Sequence, residues 1–407
     1  MFKTALIAFG VVVLLAPNAV AQGKPAAWHV MQDAVVFGLY NHQGGPRGGD
    51  ELRVPNWWMG MFTRKVKSAD LTIQTMFSLD PLTVGKRGYR ELFQVGETFE
   101  GRPLIDYQHP HDLFMQLAAV WRMPIGAKTN VTIAGGPAAE PALGPVAFMH
   151  RASALENPMS PLAHHKLDST HIAFGVVTAA IDRGPWMMEG SLFNGREPDE
   201  DRLDFDFGAL DSFSGRLWFR PRQDWEFQVS SGRLKDPEEL AHAAIVRTTA
   251  SASWLTREAE SFTAVTAAYG VNRGEDATRG SFLVEATRRA GVLSAYGRFE
   301  VVEVETGVLL DDHTIGHGVT DTVAAITLGA VRDFSRWRKV ESGVGAAVTF
   351  YGVPGALKST HGDRPVSFQV FFRLRPAAGA MGRMWNMHMI KPMRPATADP
   401  HAGHQMP

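Results

Sequence analysis

Apolar and polar residues alternate with a period of two along most of this chain. In one segment Val366, Phe368 and Val370 are apolar, and Ser367 and Gln369 fall between them. Successive side chains of a β-strand point to opposite faces, so this pattern predicts strands with one apolar and one polar face. Sixteen segments fit it: 28–41, 57–66, 69–79, 113–122, 129–138, 171–182, 185–194, 211–220, 224–233, 246–256, 260–271, 280–289, 292–303, 321–333, 337–351 and 365–375.

The connections between these segments alternate in length. Short turns are predicted at 67–68, 125–128, 183–184, 221–223, 257–259, 290–291 and 334–336. Most of the connections between them are long, and the longest are 80–112 and 139–170. Short turns at one end and long loops at the other are typical of outer-membrane barrels, and a closed barrel leaves no strand edge open in lipid. The sequence therefore predicts an all-β transmembrane antiparallel barrel of about sixteen strands, with short periplasmic turns and long external loops that partly fold inward.

The two ends of the chain differ from the middle. A positive start, an apolar run at Ala5–Leu15 and the small residues Ala19 and Ala21 predict a secretory signal peptide over residues 1–21. The barrel is expected over 22–375, and a Met/His-rich tail on the periplasmic side over 376–407. Export and a barrel together predict the outer membrane of a Gram-negative bacterium.

Charge and composition narrow the function. The chain has 41 basic and 42 acidic residues, which argues against binding to nucleic acid, and no cysteine, so neither disulfides nor thiolate chemistry are available. The polar strand faces carry both signs and predict a water-filled lumen, through Arg216, Arg220, Glu226, Arg247, Glu285, Arg298, Glu300, Glu341 and Arg373. Tryptophans near strand ends predict aromatic girdles, at Trp57, Trp58, Trp121, Trp186, Trp225, Trp254 and Trp337.

A histidine-dense stretch, Leu104–His171, holds six of the fifteen histidines in two loops that flank one predicted hairpin. Imidazole and carboxylate groups suit zinc, copper or nickel. Pro110 keeps His109 extended, so His109 and His111 are expected on one side. The candidate ligands are Asp106, His109, His111, Asp112, His150, His164, His165 and His171. Their irregular spacing leaves two other interpretations open, a plug loop whose histidines bond to backbone or carboxylates, and a catalytic role.

The tail contains a second cluster of candidate ligands. Thioether and imidazole groups together favour copper, above all the reduced ion. Contact of the methionines with the barrel mouth or with lipid is the alternative. The tail candidates are Met381, Met384, Met387, His388, Met389, Met393, His401, His404 and Met406.

Three weaker motifs remain. The Gly-rich stretch 41–51 reads as an external loop folded tightly into the barrel, with phosphate binding as the alternative. The acidic loop 194–206 reads as a solvated loop, with calcium as the alternative. Ser169 with His171 and Asp168, or Ser153 with His150, supplies the residue types of a hydrolase, but no G-x-S-x-G motif occurs.

Residues 28–375 resemble Gram-negative outer-membrane proteins of the porin type in their strand pattern. The stretches NHQGGPRGGDELRVPNWWMGM, PLIDYQHPHDLFMQ and FNGREPDE resemble an uncharacterised family of proteobacterial outer-membrane proteins. The tail resembles Met/His tracts of copper-resistance proteins. As departures, the chain does not end on the aromatic residue of a terminal strand, and no catalytic motif can be transferred.

The resemblance implies passage or binding of a small molecule or ion, linked to copper or another transition metal. It also implies contact with outer-membrane lipid and, as is common among sixteen-stranded barrels, a homotrimer. An outer-membrane lipid hydrolase is one alternative, and a structural or adhesive barrel is another.

Overall fold

The computed structural model describes residues 28–237, 243–258, 261–334 and 340–377. Sixteen strands in these ranges form one antiparallel barrel: β1 His29–Gln43, β2 Asn56–Val66, β3 Ala69–Phe77, β4 Phe114–Pro124, β5 Thr129–Ala139, β6 Ala173–Arg183, β7 Trp186–Phe193, β8 Ser212–Phe219, β9 Trp225–Leu234, β10 Ile245–Glu258, β11 Ser261–Arg273, β12 Thr278–Ala290, β13 Leu293–Glu305, β14 Thr320–Asp333, β15 Val340–Gly352 and β16 Val366–Pro376. The first and last strands pair from Val36 with Leu374 to His42 with Phe368, which closes the barrel. The predicted fold class and strand number are confirmed.

The outer face of the barrel is apolar and the inner face is polar. Along β9, Phe227 and Val229 are 37% and 55% exposed, whereas Glu226 and Gln228, which alternate with them, are each 2% exposed. This inverts the arrangement of a water-soluble protein and fits a wall in contact with hydrocarbon.

Among the described residues, none of the helices is long and apolar enough to cross a membrane.

Aromatic side chains cluster where the strands meet the short turns. The ring of Trp186 stacks on Phe219 with 4.2 Å between centroids, and Trp225 lies beside Trp254 at 6.5 Å. These three tryptophans occupy the predicted girdle positions. Trp57 does not: it is only 9% exposed and packs against His150 in the interior, because its side chain falls on the inward face of β2. Trp337 lies outside the described residues.

The Gly-rich stretch forms a hairpin rather than the predicted inward loop. Gly49–Arg53 pairs with Leu39–Gln43 and so extends the sheet beside the upper half of β1. A Cβ on Gly48 would lie 1.9 Å from the carbonyl oxygen of Gln43, so only glycine fits this turn. The backbone is used for strand pairing, and no helix follows that would give a phosphate site.

The remaining elements are short and lie in the long loops. The helices in the described ranges are α1 Asp80–Thr83, α2 His164–Leu167, α3 Thr306–Leu310 and α4 Lys358–His361. Three 3₁₀ turns are Phe148–His150, Ser169–His171 and Gly355–Leu357. Two small ladders join Tyr89–Arg90 to Tyr107–Gln108, and Thr98–Phe99 to Arg102–Pro103.

Two long loops fold into the barrel, as predicted, and together we call residues 78–113 and 140–172 the plug. Arg151 of the plug donates from Nε to Glu285 Oε1 of β12 at 2.6 Å. Arg298 of β13 donates from Nη1 to the Ser160 carbonyl at 2.9 Å, and Arg216 of β8 to the Gly144 carbonyl at 3.0 Å. The plug is therefore bonded to the wall on several sides.

The prediction of a water-filled lumen is wrong for this conformation. Eight of the nine predicted lumen charges are at most 4% exposed: Arg216, Glu226, Arg247, Glu285, Arg298, Glu300, Glu341 and Arg373. They do face inward, but plug carbonyls and carboxylates take the place of water around them. Alternation along a strand reports which face is polar, and it does not distinguish water from a polar plug.

Candidate functional site

Five histidine rings form a continuous line inside the plug, which we call the imidazole row. His109 lies 5.6 Å from His165, and His165 lies 5.3 Å from His164, between ring centroids. His171 then lies 5.2 Å from His164 and 5.9 Å from His111. The row joins the two loops that the sequence analysis expected to meet, because the β4–β5 hairpin brings both to the same end of the barrel.

Short local structures set the direction of these rings. α2 carries His164, and the 3₁₀ turn Ser169–His171 follows at once. Asp168 lies between them, and its backbone N–H bonds to the His164 carbonyl at 3.0 Å while its own carbonyl accepts from the His171 N–H at 3.2 Å. On the other loop Pro110 separates His109 from His111 in an extended segment.

Three of the rings are held through Nδ1. His111 Nδ1 lies 2.9 Å from Asp80 Oδ2, and His164 Nδ1 lies 2.7 Å from Asp168 Oδ1. His171 Nδ1 lies 2.8 Å from the Asp168 carbonyl oxygen. A carbonyl only accepts, so Nδ1 of His171 carries the proton and Nε2 keeps its lone pair in the neutral ring. Nε2 of both His111 and His171 is buried without a hydrogen-bond partner.

Burial keeps His164 and His171 neutral near pH 7. It lowers the pKa of His164 to about 4, even though Asp168 opposes the shift, and it lowers the pKa of His171 well below the usual value. Burial alone would raise the pKa of Asp168, but the nearby Arg151 and His164 hold it well below its usual range. A charged carboxylate therefore anchors neutral imidazoles, the state in which histidine binds metals.

The other predicted ligands have different surroundings. Both ring nitrogens of His109 are engaged, Nε2 with Glu97 at 2.9 Å and Nδ1 with the Pro110 carbonyl at 3.1 Å. His165 Nδ1 lies 3.7 Å from Glu197. His109 and His165 therefore extend the row toward a carboxylate-rich edge rather than toward His111.

Three predicted residues lie outside the row. His150 packs on Trp57 with 5.3 Å between ring centroids, and burial lowers its pKa to about 4. Asp112 accepts from Arg202 at 3.4 Å. Asp106 accepts from His361 Nε2 at 3.1 Å, in a network on the other side of the plug. Of the eight predicted ligands, five therefore lie in the imidazole row and three lie elsewhere.

The residues that position the row could not be recognised from the sequence. Asp80 precedes His111 by 31 residues, and no motif linked the two. Asp168 was considered only as a partner for a hydrolase, and Arg151, which donates to it from Nη1 at 2.5 Å, was not considered. These partners are chosen by packing of the plug, which sequence spacing does not report.

The two candidate hydrolase serines bond elsewhere. Ser169 Oγ accepts from Arg247 Nη1 at 2.9 Å. Ser153 Oγ lies 2.9 Å from Glu285 Oε1 and 2.8 Å from Thr266 Oγ1. Within the described ranges neither serine has the histidine hydrogen bond that would make it a nucleophile.

A separate acidic cluster lies in the loop for which calcium was considered. Carboxylate oxygens of Asp199, Asp204 and Asp206 lie within 4.8 Å of one another, the only such group of three Asp, Glu, His or Cys ligands in the described part of the chain. Burial raises the pKa of Asp206 to about 6. Exposed acidic groups of this kind are common in loops, so calcium stays a prediction. The histidine nitrogens of the imidazole row do not meet this distance criterion, so they are too far apart in this structure to hold one metal ion.

Several predictions fall on residues that the structure does not describe. These are the signal peptide over 1–21 and the tail candidates Met381, Met384, Met387, His388, Met389, Met393, His401, His404 and Met406.

Comparison with known proteins shows the fold. No protein-family model matches the chain, and no curated protein matches it. OprB of Pseudomonas putida is similar in structure, with a TM-score of 0.54, 9% identity, and coverage of 86% of this chain and 94% of that chain. OmpF of Salmonella typhi, in complex with daunomycin, has a TM-score of 0.52, 9% identity, and coverage of 84% and 97%. A loop L8 deletion mutant of OmpT, an outer membrane protein of Vibrio cholerae, has a TM-score of 0.51, 11% identity, and coverage of 86% and 99%.

The fold is that of an outer-membrane porin barrel.

Proposed function

We propose that this chain is a porin-like protein of the Gram-negative outer membrane that binds a small solute in its lumen and passes it when the plug moves. The apolar outer wall supports a membrane location, because exposed residues such as Val229 and Phe213 would otherwise face water. The fold shared with outer-membrane porins, one of them in complex with a small molecule, supports solute binding.

The observation that carries the proposal is the satisfaction of the lumen charges by the plug. Three cavities stand out in the described residues, of about 50, 20 and 550 Å³. The two small cavities lie beside the plug: His111 lines the first and Glu91 lines the second. Each of them has room for water only. A solute therefore passes only if the plug shifts, so the plug acts as the gate.

The largest cavity fits an entrance chamber at the long-loop end. It is lined by both signs of charge, including Glu97, Glu197, Arg196, Arg202 and Lys235. Mixed charge favours a polar or charged solute over an apolar one. This chamber borders Glu97, which binds the end of the imidazole row at His109.

We further propose that the solute is linked to copper or another transition metal. Imidazoles of the plug and the Met/His cluster of the tail both supply ligands of the required kind. The sequence predicts the tail on the periplasmic side, so in this proposal an ion taken up at the row has the tail as its recipient.

Conductance in planar lipid bilayers tests the gate. The full-length protein should show low conductance with rare openings. A variant in which residues 141–171 are replaced by a short Gly/Ser linker should show large and stable conductance, because the charges that bonded the plug become hydrated. Heat-modified migration on gels serves as the control for barrel folding. A folded barrel that stays closed after this deletion contradicts the proposal and leaves the structural or adhesive alternative.

The homotrimer implied by the resemblance remains a prediction. The mass of the folded protein in mild detergent, measured by light scattering after gel filtration, checks it.

A further inference from the structure

Three rings of the imidazole row are held in the same way. His111, His164 and His171 each use Nδ1 to contact a carboxylate or a carbonyl, at 2.9, 2.7 and 2.8 Å. A metal-bound histidine almost always donates its second N–H to such a partner, which fixes the tautomer and the direction of the ring. The partners Asp80 and Asp168 belong to the two different plug loops.

Two of the three Nε2 atoms lack the hydrogen-bond partner that a buried nitrogen is expected to have. Nε2 of His111 and Nε2 of His171 are buried and make no hydrogen bond. Buried polar atoms without a partner are rare in folded proteins and call for an explanation, such as an ion. Two of them on adjacent rings, whose centroids are 5.9 Å apart, point to one shared ligand.

We propose that His111, His164 and His171 bind one transition-metal ion through Nε2, at the contact between the two plug loops. The ion would tie loop 78–113 to loop 140–172, and a water molecule or the transported solute would complete its shell. This site deepens the proposed function by naming the class of solute, and it rests on that function only for the statement that the ion is transported.

Two of the three ring spacings, those that involve His171, are close to what such a site needs. For a tetrahedral ion with metal–nitrogen bonds of about 2.0–2.1 Å, adjacent imidazole centroids lie about 5 Å apart. The observed centroid distances are 5.2 Å for His164 and His171, and 5.9 Å for His111 and His171. Binding therefore requires the two loops to move closer together, since the three nitrogens do not all lie within 4.8 Å of one another.

The surroundings of the three histidines favour a borderline transition-metal ion and leave some open space beside it. Phe148 packs edge-on to His164 at 5.3 Å and lies parallel to His111 at 6.4 Å, so one wall of the site is apolar. A cavity of about 50 Å³ lies beside His111, Asp80 and Phe148. Neutral imidazole ligands suit Zn²⁺, Cu²⁺ and Ni²⁺, whereas Ca²⁺ and Mg²⁺ prefer oxygen.

The test uses full-length folded protein in detergent, freed of metal with a chelator. Zn²⁺ and Cu²⁺ are titrated by calorimetry, and Co²⁺ is added as a spectroscopic probe of geometry. Wild type should bind one ion at the plug in addition to any ion bound by the tail, and bound Co²⁺ should show the intense visible bands of a tetrahedral site. H111Q/H171Q should lose one equivalent, or weaken that site at least 100-fold, and lose these bands.

Matched controls separate a specific site from loss of structure. H317Q removes an exposed histidine that is paired with Glu305, and it should bind like wild type. Gel mobility before and after heating shows whether H111Q/H171Q is folded, and the single variant H111Q repeats the test with a smaller change. Unchanged stoichiometry and affinity in folded H111Q/H171Q would overturn the site and leave the row as a structural network.

This outcome is distinct from failure of the proposed function. If the folded double variant binds metal like wild type while plug deletion opens the barrel, the metal site fails and the gated barrel stands. If the site binds metal while the plug deletion never conducts, the site stands and transport fails.

Discussion

At the scale of single residues, the plug is built from ionisable groups that are removed from water. Arg373 is fully buried and is ion-paired with Glu156 of the plug and Asp333 of β14. Arg375 donates from Nε to Glu341 Oε1 at 2.8 Å. Removing one partner of such an ion pair destabilises the protein by more than the pair stabilises it, because the other charge stays buried without a partner. The charges therefore specify one docked position of the plug.

Glu91 gives a prediction on pH at this scale. Burial raises its pKa to about 8, although the hydrogen bond from Ser160 opposes the shift. Between the ordinary value of 4.5 and this value the folded state binds more protons than the unfolded state, so the free energy of unfolding should fall as pH rises through that window.

The variant E91Q should reduce this loss, because glutamine resembles the protonated carboxyl. The midpoint of thermal unfolding, followed by circular dichroism in detergent, should fall less between pH 5 and pH 9 in E91Q than in wild type. Asp112 and Glu140 also have raised pKa values, of about 7, and their contribution cancels in the comparison. Identical slopes in the two proteins would count against a protonated Glu91.

At the scale of elements, Arg151 connects the plug to the wall. It bonds to Glu285 of β12 and to Asp168 of the plug, and its Nη1 donates to the Val146 carbonyl at 2.8 Å. R151M removes the arginine that pairs with the buried Asp168 and leaves the buried Glu285 with Arg298 as its remaining cation, which should destabilise the docked plug by about 3–5 kcal/mol. The barrel strands themselves should stay paired.

Limited trypsin digestion with mass spectrometry checks this expectation. Cleavage after Lys166, within α2, should be faster in R151M than in wild type, while sites in the strands stay protected. R222A is the matched control, since Arg222 forms an exposed pair with Asp224 at the short-turn end. Equal protection of Lys166 in R151M would show that the plug does not depend on this arginine.

The strands could be predicted from the sequence because their signals are local. Period-two alternation and turn length depend on residues that are close in the chain, and both gave sixteen strands. The meeting of the two histidine loops followed from the hairpin between them. Long-range partners such as Asp80 for His111, or Glu285 for Arg151, could not be predicted, because they lie 31 and 134 residues apart and are selected only when the plug is docked.

At the scale of the whole molecule, the polarity of each face of the barrel matches the medium that the face contacts. Apolar residues face outward, and polar residues face a plug that replaces water in the lumen. Val229 lies near the middle of β9, four residues beyond Trp225 of the aromatic girdle, and it is 55% exposed on the outer face. This position should lie within the hydrocarbon of the membrane.

The variant V229R tests that assignment. An arginine at the middle of a lipid-facing strand should lower the free energy of unfolding in bilayers by about 2–4 kcal/mol, because its charge leaves water for hydrocarbon. L203R is the matched control, since Leu203 is 53% exposed in the long loop between β7 and β8 and an arginine there stays in water. Urea titration of both variants in lipid vesicles, followed by tryptophan fluorescence, measures the difference. A V229R barrel as stable as L203R would mean that this face does not contact lipid.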